Sequence, residues 1–267
     1  MFDFSSVSRE SDAFAGADRS PISVTASSRS ALLADLETRL AADDGFCLAT
    51  LNLDHLVKIC RDTQFRQAYA AHSHVTADGN PIVWLCSVAG QKNVELIPGS
   101  ELIEPVLQMA ARCGFPIALF GSTAQSLARA AAVMQARHHG LKIAAQIAPP
   151  MAFDPEGADA EAAIEALAGS EARLVFLALG APKQERFAIY AHERLPQVGF
   201  LSIGAGLDFI SGAQQRAPKL VRLLALEWLW RLGKNPKRLL RRYIDCFAIL
   251  PRATRMARHA RLNNTGS

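Results

Sequence analysis

The stretch that most constrains this chain is Leu174–Glu185, LVFLALGAPKQE. Six apolar residues run without a break, a Gly-Ala-Pro turn follows, and a polar cluster opens a second apolar pattern. A short continuous apolar run bounded by Gly and Pro predicts a strand buried on both faces. Pro182 suits the first turn of a following helix. The loop then sits where the carboxyl end of a parallel strand meets the amino end of a helix, the usual ligand position in open α/β sheets. Lys183, Gln184 and Glu185 are costly to place beside a buried strand unless a polar ligand meets them, although a plain strand-to-helix turn with a solvated tip fits as well. The arrangement recurs at Val198–Gly212, VGFLSIGAGLDFISG, where Gly204 and Gly206 are expected to leave backbone N–H groups accessible and Asp208 lies just beyond. Two such ends in one sheet make a crevice of nucleotide size.

The rest of the chain supplies the alternation that such a sheet needs. Ser28–Leu40 predicts a helix, with Leu32, Leu33, Leu36 and Leu40 at helical spacing. Phe46–Leu51 predicts a strand followed directly by Asn52-Leu53-Asp54-His55, and a helix is expected over about Leu56–Ala71. Val75-Thr76-Ala77 leads into the turn Asp78-Gly79-Asn80-Pro81, after which Ile82–Val88 is apolar. At Glu95–Leu102 a loop enters a helix, with Ser100 as the expected N-cap and Glu101 placed to complement the helix dipole. Ile117–Phe120 predicts a buried strand ending at Gly121-Ser122-Thr123, then a helix over Ala124–His138, a strand over Lys142–Ile147 and a helix over Ala158–Ala168. Strands alternating with helices of this length imply βαβ units and a mostly parallel sheet, an α/β fold.

Charge divides the chain where hydropathy does not. The net charge is +4, but from Arg216 onward 13 Lys and Arg stand against Glu227 and Asp245, so that segment carries +11 and the preceding residues −7. An acidic body with a basic tail directs the tail to an anionic partner, whether membrane, nucleic acid or phosphate. We place a boundary near residue 215, with a body over 21–215, a basic helical appendage over 216–267, and an unpatterned Ser/Asp/Ala-rich arm over 1–20 that is expected to be disordered. Five scattered cysteines without metal spacing, no secretory signal pattern and no apolar run of 18 residues point to a cytosolic chain.

Several residues carry a functional reading beside a structural one. Asp78, in a Gly/Pro turn after a strand, is either a turn aspartate bonded to its own backbone or a general base. Asn52 is either a helix cap or a hydrogen-bonder of substrate. Adjacent Asp54 and His55 point apart, which argues against a dyad, and His72 and His74, at alternating spacing, lack carboxylate or Cys partners, which argues against a metal site. His138-His139 suits a helix C-terminus, and Ser122 and Ser211 lack a nucleophile elbow. Arg231, Arg238 and Arg241, with Pro236 breaking the helix between them, are either a solvated basic face or guanidiniums converging on a diphosphate. Trp228 and Trp230 nearby suit a membrane interface or a helix docked on the core.

The blocks TLNLDHLV, TADGNPIVW, PGSELI, LFGS, LALGAPKQERF, IGAGLDFISGAQQRAP and LEWLWRLGKNPKRLLRR, in this order, resemble the WecG/TagA/CpsF family of bacterial glycosyltransferases over about residues 30–245. The resemblance implies a Rossmann-like body with a C-terminal helical appendage. It also implies an inverting transferase without metal or other cofactor, which moves a hexose-type sugar from a UDP-sugar to a polyprenyl-diphosphate-linked acceptor at the inner face of the cell membrane. By the same resemblance Asp78 is the base, Asn52 its polar partner, and Arg231, Arg238 and Arg241 the functional arginines of the appendage. The loops with Gly180, Lys183, Gln184 and Glu185, and with Gly204, Gly206 and Asp208, match where the nucleotide lies, and Gly121 joins them. Leu96 departs from the pattern, standing where family members commonly carry Arg.

Two other classes are weighed against this. A non-catalytic nucleotide- or nucleic-acid-binding protein would use the basic tail, but the tail shows no helix-turn-helix or finger pattern. A dinucleotide oxidoreductase would need a GxGxxG after an early strand, which is missing. The sequence leaves open whether the chain works alone or as a homo-oligomer.

Overall fold

The structure, a computed structural model, describes residues 1–8, 20–213, 232–233 and 236–265. Six strands form one sheet: β1 (Phe46–Leu51), β2 (His74–Ala77), β3 (Ile117–Gly121), β4 (Ile143–Ile147), β5 (Leu174–Ala178) and β6 (Gly199–Ser202). Their order is β2-β1-β6-β5-β3-β4 and every neighbouring pair is parallel. The helices are α1 (Arg29–Ala41), α2 (Leu53–Ile59), α3 (Thr63–Ala70), α4 (Asn80–Val88), α5 (Gly99–Cys113), α6 (Ala124–Arg137), α7 (Ala158–Ala168), α8 (Lys183–His192), α9 (Gly206–Ile210) and α10 (Pro236–Thr265).

Successive residues of β1 explain the two layers. Phe46 and Leu48 face a core shared with α1, α5, α6 and α9, whereas Ala49 and Leu51 face one shared with α2, α3 and α4. A third cluster on the second face joins Cys47, Val175, Leu177 and Phe200 to α7 and α8. Strands buried on both faces must be apolar throughout, which is why Leu174–Leu179 reads as one run. Edge strand β4 is the exception, with no fully buried residue. At the other edge, Thr25 donates its N–H to Val75 O at 2.9 Å and accepts from Val75 N at 2.9 Å through Oγ1, covering β2.

Helices after β1 and β5 pack on one face, and those after β3 and β6 on the other. Strand β6 therefore lies between two neighbours whose chains leave oppositely to its own, and the sheet has switch points on both sides of it.

Three expectations are corrected. The helix over Leu56–Ala71 is two helices, because Asp62 caps α3 by accepting from Phe65 N at 3.0 Å and so ends the preceding helix. Ser100 is not the N-cap of α5; the helix begins at Gly99 after Pro98, without a side-chain cap. Residues 1–8 are no disordered arm. Phe2, Phe4 and Val7 are buried with Ala253 and Ala257 of α10, and Phe4 N–H donates to Ile22 O at 2.7 Å. Residues 9–19, the remainder of that arm, lie outside the described residues.

Candidate active site

Because all strands are parallel, their carboxyl ends share one edge, with Asp78, Asn52, Gly204 and Gly180 following β2, β1, β6 and β5 in turn and Gly121 ending β3. Asp78 is half-buried and its N–H donates to Leu51 O at 2.8 Å, which fixes it beside the end of β1. Asn52 caps α2, its side chain accepting from His55 N at 3.0 Å. The structural reading of Asn52 is thus realised.

A segment distant in sequence completes this end. Leu96 bridges Ala77, Ile97 N–H donates to Ala77 O at 2.8 Å, and Thr76 Oγ1 donates to Ile97 O at 2.8 Å. The chain then enters α5 against β1 and β6. A Cβ on Gly99 would lie 3.2 Å from Thr50 Cγ2 and 3.4 Å from Ser202 O, so a bare α-carbon permits the approach. The positive end of the α5 dipole is thereby brought to the sheet edge.

The loops after β5 and β6 are joined by one buried amide. Gln184 Oε1 accepts from Gly180 N at 3.2 Å and from Gly204 N at 3.1 Å, and its Nε2 donates to Glu185 Oε1 at 2.8 Å. Both glycines hold positive φ, +75° and +56°, which favours glycine there. This corrects the expectation of accessible glycine N–H groups: Gly204 N–H is spent on Gln184, and Gly206 N–H on Ile203 O at 3.2 Å. Gln184 and Glu185 are 2% and 0% exposed, so they lie beneath the loops, whereas Lys183 is half-buried at the turn. The Ala181–Pro182 peptide is cis. Across β5, Ser122 Oγ donates to Asp208 Oδ1 at 2.6 Å, tying the β3 end to the start of α9. Gly121 packs on Ala178, whose carbonyl would stand 2.4 Å from a Cβ.

A buried polar cluster underlies this edge. His55 Nδ1 meets Tyr69 OH at 3.2 Å, and burial pushes His55 down to about 3, so the ring is neutral. Burial pushes the Glu185 carboxyl up to about 7, against which its hydrogen bond from Gln184 acts. Burial also raises Tyr69, helped by the Glu185 and Asp78 carboxylates, which places both acids in its neighbourhood. Lys58 Nζ donates to Ala181 O at 3.1 Å and pairs with Asp54 Oδ2 at 2.8 Å, while Asp54 Oδ1 pairs with Arg242 Nε of α10 at 2.8 Å.

The appendage arginines are only partly in view. Arg231 and the Arg238 side chain lie outside the described residues, as do Trp228 and Trp230; Arg241 is exposed on α10. Pro236 opens that helix, as its position in the sequence suggested. Asp54 and His55 turn to different partners, as expected; His72 meets Ala68 O at 2.7 Å, but His74, expected to lack a carboxylate partner, meets Asp35 Oδ2 of α1 at 2.6 Å, a contact between elements that spacing in the sequence does not show. His138 ends α6 and meets Glu104 at 3.2 Å. Among the described residues no group of three or more His, Cys, Asp or Glu is placed to hold a metal ion, and no helix is long and apolar enough to cross a membrane. Sequence reasoning missed Lys58, although its spacing of four from Asp54 signals a helical ion pair. It also missed the Tyr69–His55 pair, for which the sequence holds no signal.

Compared with known protein families, residues 19–263 match the glycosyl transferase WecG/TagA/CpsF family, nearly the whole chain. That family makes cell-surface polysaccharides, in general from a nucleotide-sugar donor and a lipid-linked acceptor. The six-stranded parallel sheet with its two switch points and the C-terminal helix agree with the architecture the resemblance implied. The chain belongs to the WecG/TagA/CpsF family of glycosyltransferases.

Proposed function

We propose that the protein is an inverting, metal-independent hexosyltransferase that takes its sugar from a UDP-sugar and delivers it to a polyprenyl-diphosphate-linked saccharide. The observation that carries this reading is the shared strand edge, where an acid fixed beside β1 lies on the same edge as two loops joined by Gln184. The nucleotide lies over the loops with Gly180, Gly204, Asp208 and Gly121, with Lys183 toward its phosphates. Asp78 accepts the proton of the acceptor hydroxyl as its oxygen bonds to the anomeric carbon. The bond from that carbon to the diphosphate oxygen breaks on the opposite face, and UDP leaves with the electron pair. Arg231, Arg238 and Arg241 offset the charge growing on the diphosphate, the work a metal does elsewhere.

The acceptor's lipid brings the reaction to the inner face of the cell membrane, and α10 supports docking on anionic lipid. Its residues Leu240, Ile244 and Phe247 are spaced as one helical stripe and are 54%, 58% and 55% exposed. The helix carries eight basic residues against Asp245 alone. Leu96, next to Ala77 and so one residue from Asp78 in the sheet, replaces a charged neighbour by an apolar one and belongs to the choice of sugar or acceptor.

Product analysis with a panel of UDP-sugars and lipid-diphosphate acceptors, in the presence of EDTA, tests the reading. Transfer with inversion from one donor is expected. Activity that EDTA abolishes and Mg²⁺ restores overturns the arginine mechanism, and a chain that binds UDP but transfers no sugar returns it to the non-catalytic class.

A further inference from the structure

We propose that Glu185 is a positioning residue: its buried carboxyl group holds the Gln184 amide in the orientation that ties the β5 and β6 loops into one binding surface. The inference rests on the reading that these loops receive UDP. Gln184 is 2% exposed, and its oxygen serves two glycine N–H groups at 3.2 and 3.1 Å. The amide nitrogen behind it must then find an acceptor inside the protein or remain an unmet buried donor, at a cost of about 1–3 kcal/mol. Glu185 Oε1, at 2.8 Å, is that acceptor. Reversing the amide would set two donors against the glycine N–H groups and an oxygen against the carboxyl oxygen, so the contacts at the two ends of the amide enforce one another.

A purely structural role would be met more cheaply by a neutral acceptor. Glu185 is 0% exposed, and its other oxygen, Oε2, has no hydrogen-bond partner among the described residues. The titratable groups around it come from several elements: Asp54 and Lys58 on α2, the neutral Tyr69 on α3 bonded to the neutral His55, with Asp78 after β2 also neighbouring Tyr69, and Arg242 on α10 paired with Asp54. Only Lys58 among these lends it direct cationic help, and Lys58 is already paired with Asp54 at 2.8 Å. An ionised Glu185 would sit below a surface that takes a diphosphate. Protonated, it keeps the Oε1 acceptor and removes that repulsion. UDP binding therefore draws a proton onto Glu185 as pH passes through about 7.

The test compares Glu185→Gln and Glu185→Met with the wild type, using UDP as the probe in isothermal titrations from pH 6 to 8. Buffers of different ionisation enthalpy report proton uptake, and hydrogen exchange reports the Gly180 and Gly204 amides. Glu185→Met should bind UDP about tenfold more weakly, the equivalent of about 1.4 kcal/mol, and should lose protection at both glycines together. Glu185→Gln should restore protection and bring affinity back to within about threefold, but with the proton uptake gone. Full protection of both glycines in Glu185→Met, or lost protection in Glu185→Gln, overturns the proposal, and proton uptake unchanged in Glu185→Gln overturns its link to the protonation of Glu185. Should Glu185→Met fail to fold, the protection of Gly180 and Gly204 in Glu185→Gln decides: kept, it supports an acceptor at this position, and lost, it overturns the proposal. Loss of glycine protection in Glu185→Met beside a wild type that binds no UDP would refute the nucleotide reading and leave the positioning role standing.

Discussion

The two halves of the strand edge are built differently. Over β6, β5 and β3 the loops are bonded directly to each other by side chains of their own: Gln184 spans Gly180 and Gly204, and Ser122 reaches Asp208. Over β2 and β1 other segments flank the Asp78 and Asn52 loops, with Leu96–Gly99 laid beside Ala77 and Thr50, and α10 held to α2. The first half is preorganised by bonds between its loops, which on the proposed reading suits a recurring nucleotide. The second is assembled from parts that can vary separately, which on the same reading suits a variable acceptor.

Substituting the acid is expected to separate the halves most sharply. Asp78→Asn should lower kcat by about a thousandfold or more, the upper part of what general base catalysis contributes; a variant keeping a tenth of wild-type kcat would remove Asp78 from that role.

A smaller effect is expected where α10 is fastened. Asp54 stands between Arg242 and Lys58, and Lys58 in turn holds Ala181 O. Asp54→Ala leaves two cations without their shared partner. It should cost about 2 kcal/mol of stability and lower kcat several-fold while disturbing UDP binding less. Equal losses in both would mean that α10 supports the nucleotide half as well. On the outer face of the same helix, Ile244→Ser with Phe247→Ser should weaken binding to anionic vesicles several-fold, and binding that persists would move the membrane contact elsewhere.

The smallest effects are on stability and run in opposite directions with pH. Glu185 is raised from 4.5 to about 7, so the folded chain keeps a proton the unfolded chain has lost; its contribution is complete below pH 4.5 and fades up to about 7. Burial lowers His55 and His72 from 6.5 to about 3 and about 4, so they stabilise above pH 6.5 and lose that contribution as pH falls. Glu185→Gln should therefore be more stable than the wild type at pH 8 and no more stable at pH 4.5, and both should lose stability between pH 6.5 and 4.5. Parallel melting curves across this range check the signs, and a Glu185→Gln difference that does not change with pH would show that the carboxyl does not titrate there.

The sheet was legible because its strands obey local rules. Leu174–Ala178 and Phe46–Leu51 are buried on both faces and so almost wholly apolar, with a Gly-Ala-Pro turn after the first and Gly45 before and Asn52 after the second. The split at Asp62 was less visible, since apolar spacing continues through Phe65 and a cap competes with it only weakly. The burial of Phe2 and Phe4 depends on α10, which returns from the other end of the chain. For the site, position after a strand located Asp78, Gly180 and Gly204, but not the use of their N–H groups. Gln184 reads as a polar tip in the sequence and is a core residue in the fold, because only the adjacency of β5 and β6 reveals its two partners.

The division of the edge is tested most directly by titrating UDP into Asp78→Asn and Gln184→Ala side by side. The account predicts wild-type affinity, within about threefold, for Asp78→Asn, and about tenfold weaker binding for Gln184→Ala, the loss of one or two hydrogen bonds. The reverse order, with Asp78→Asn the weaker binder, would contradict a nucleotide half built around Gln184 and a chemical half built around Asp78.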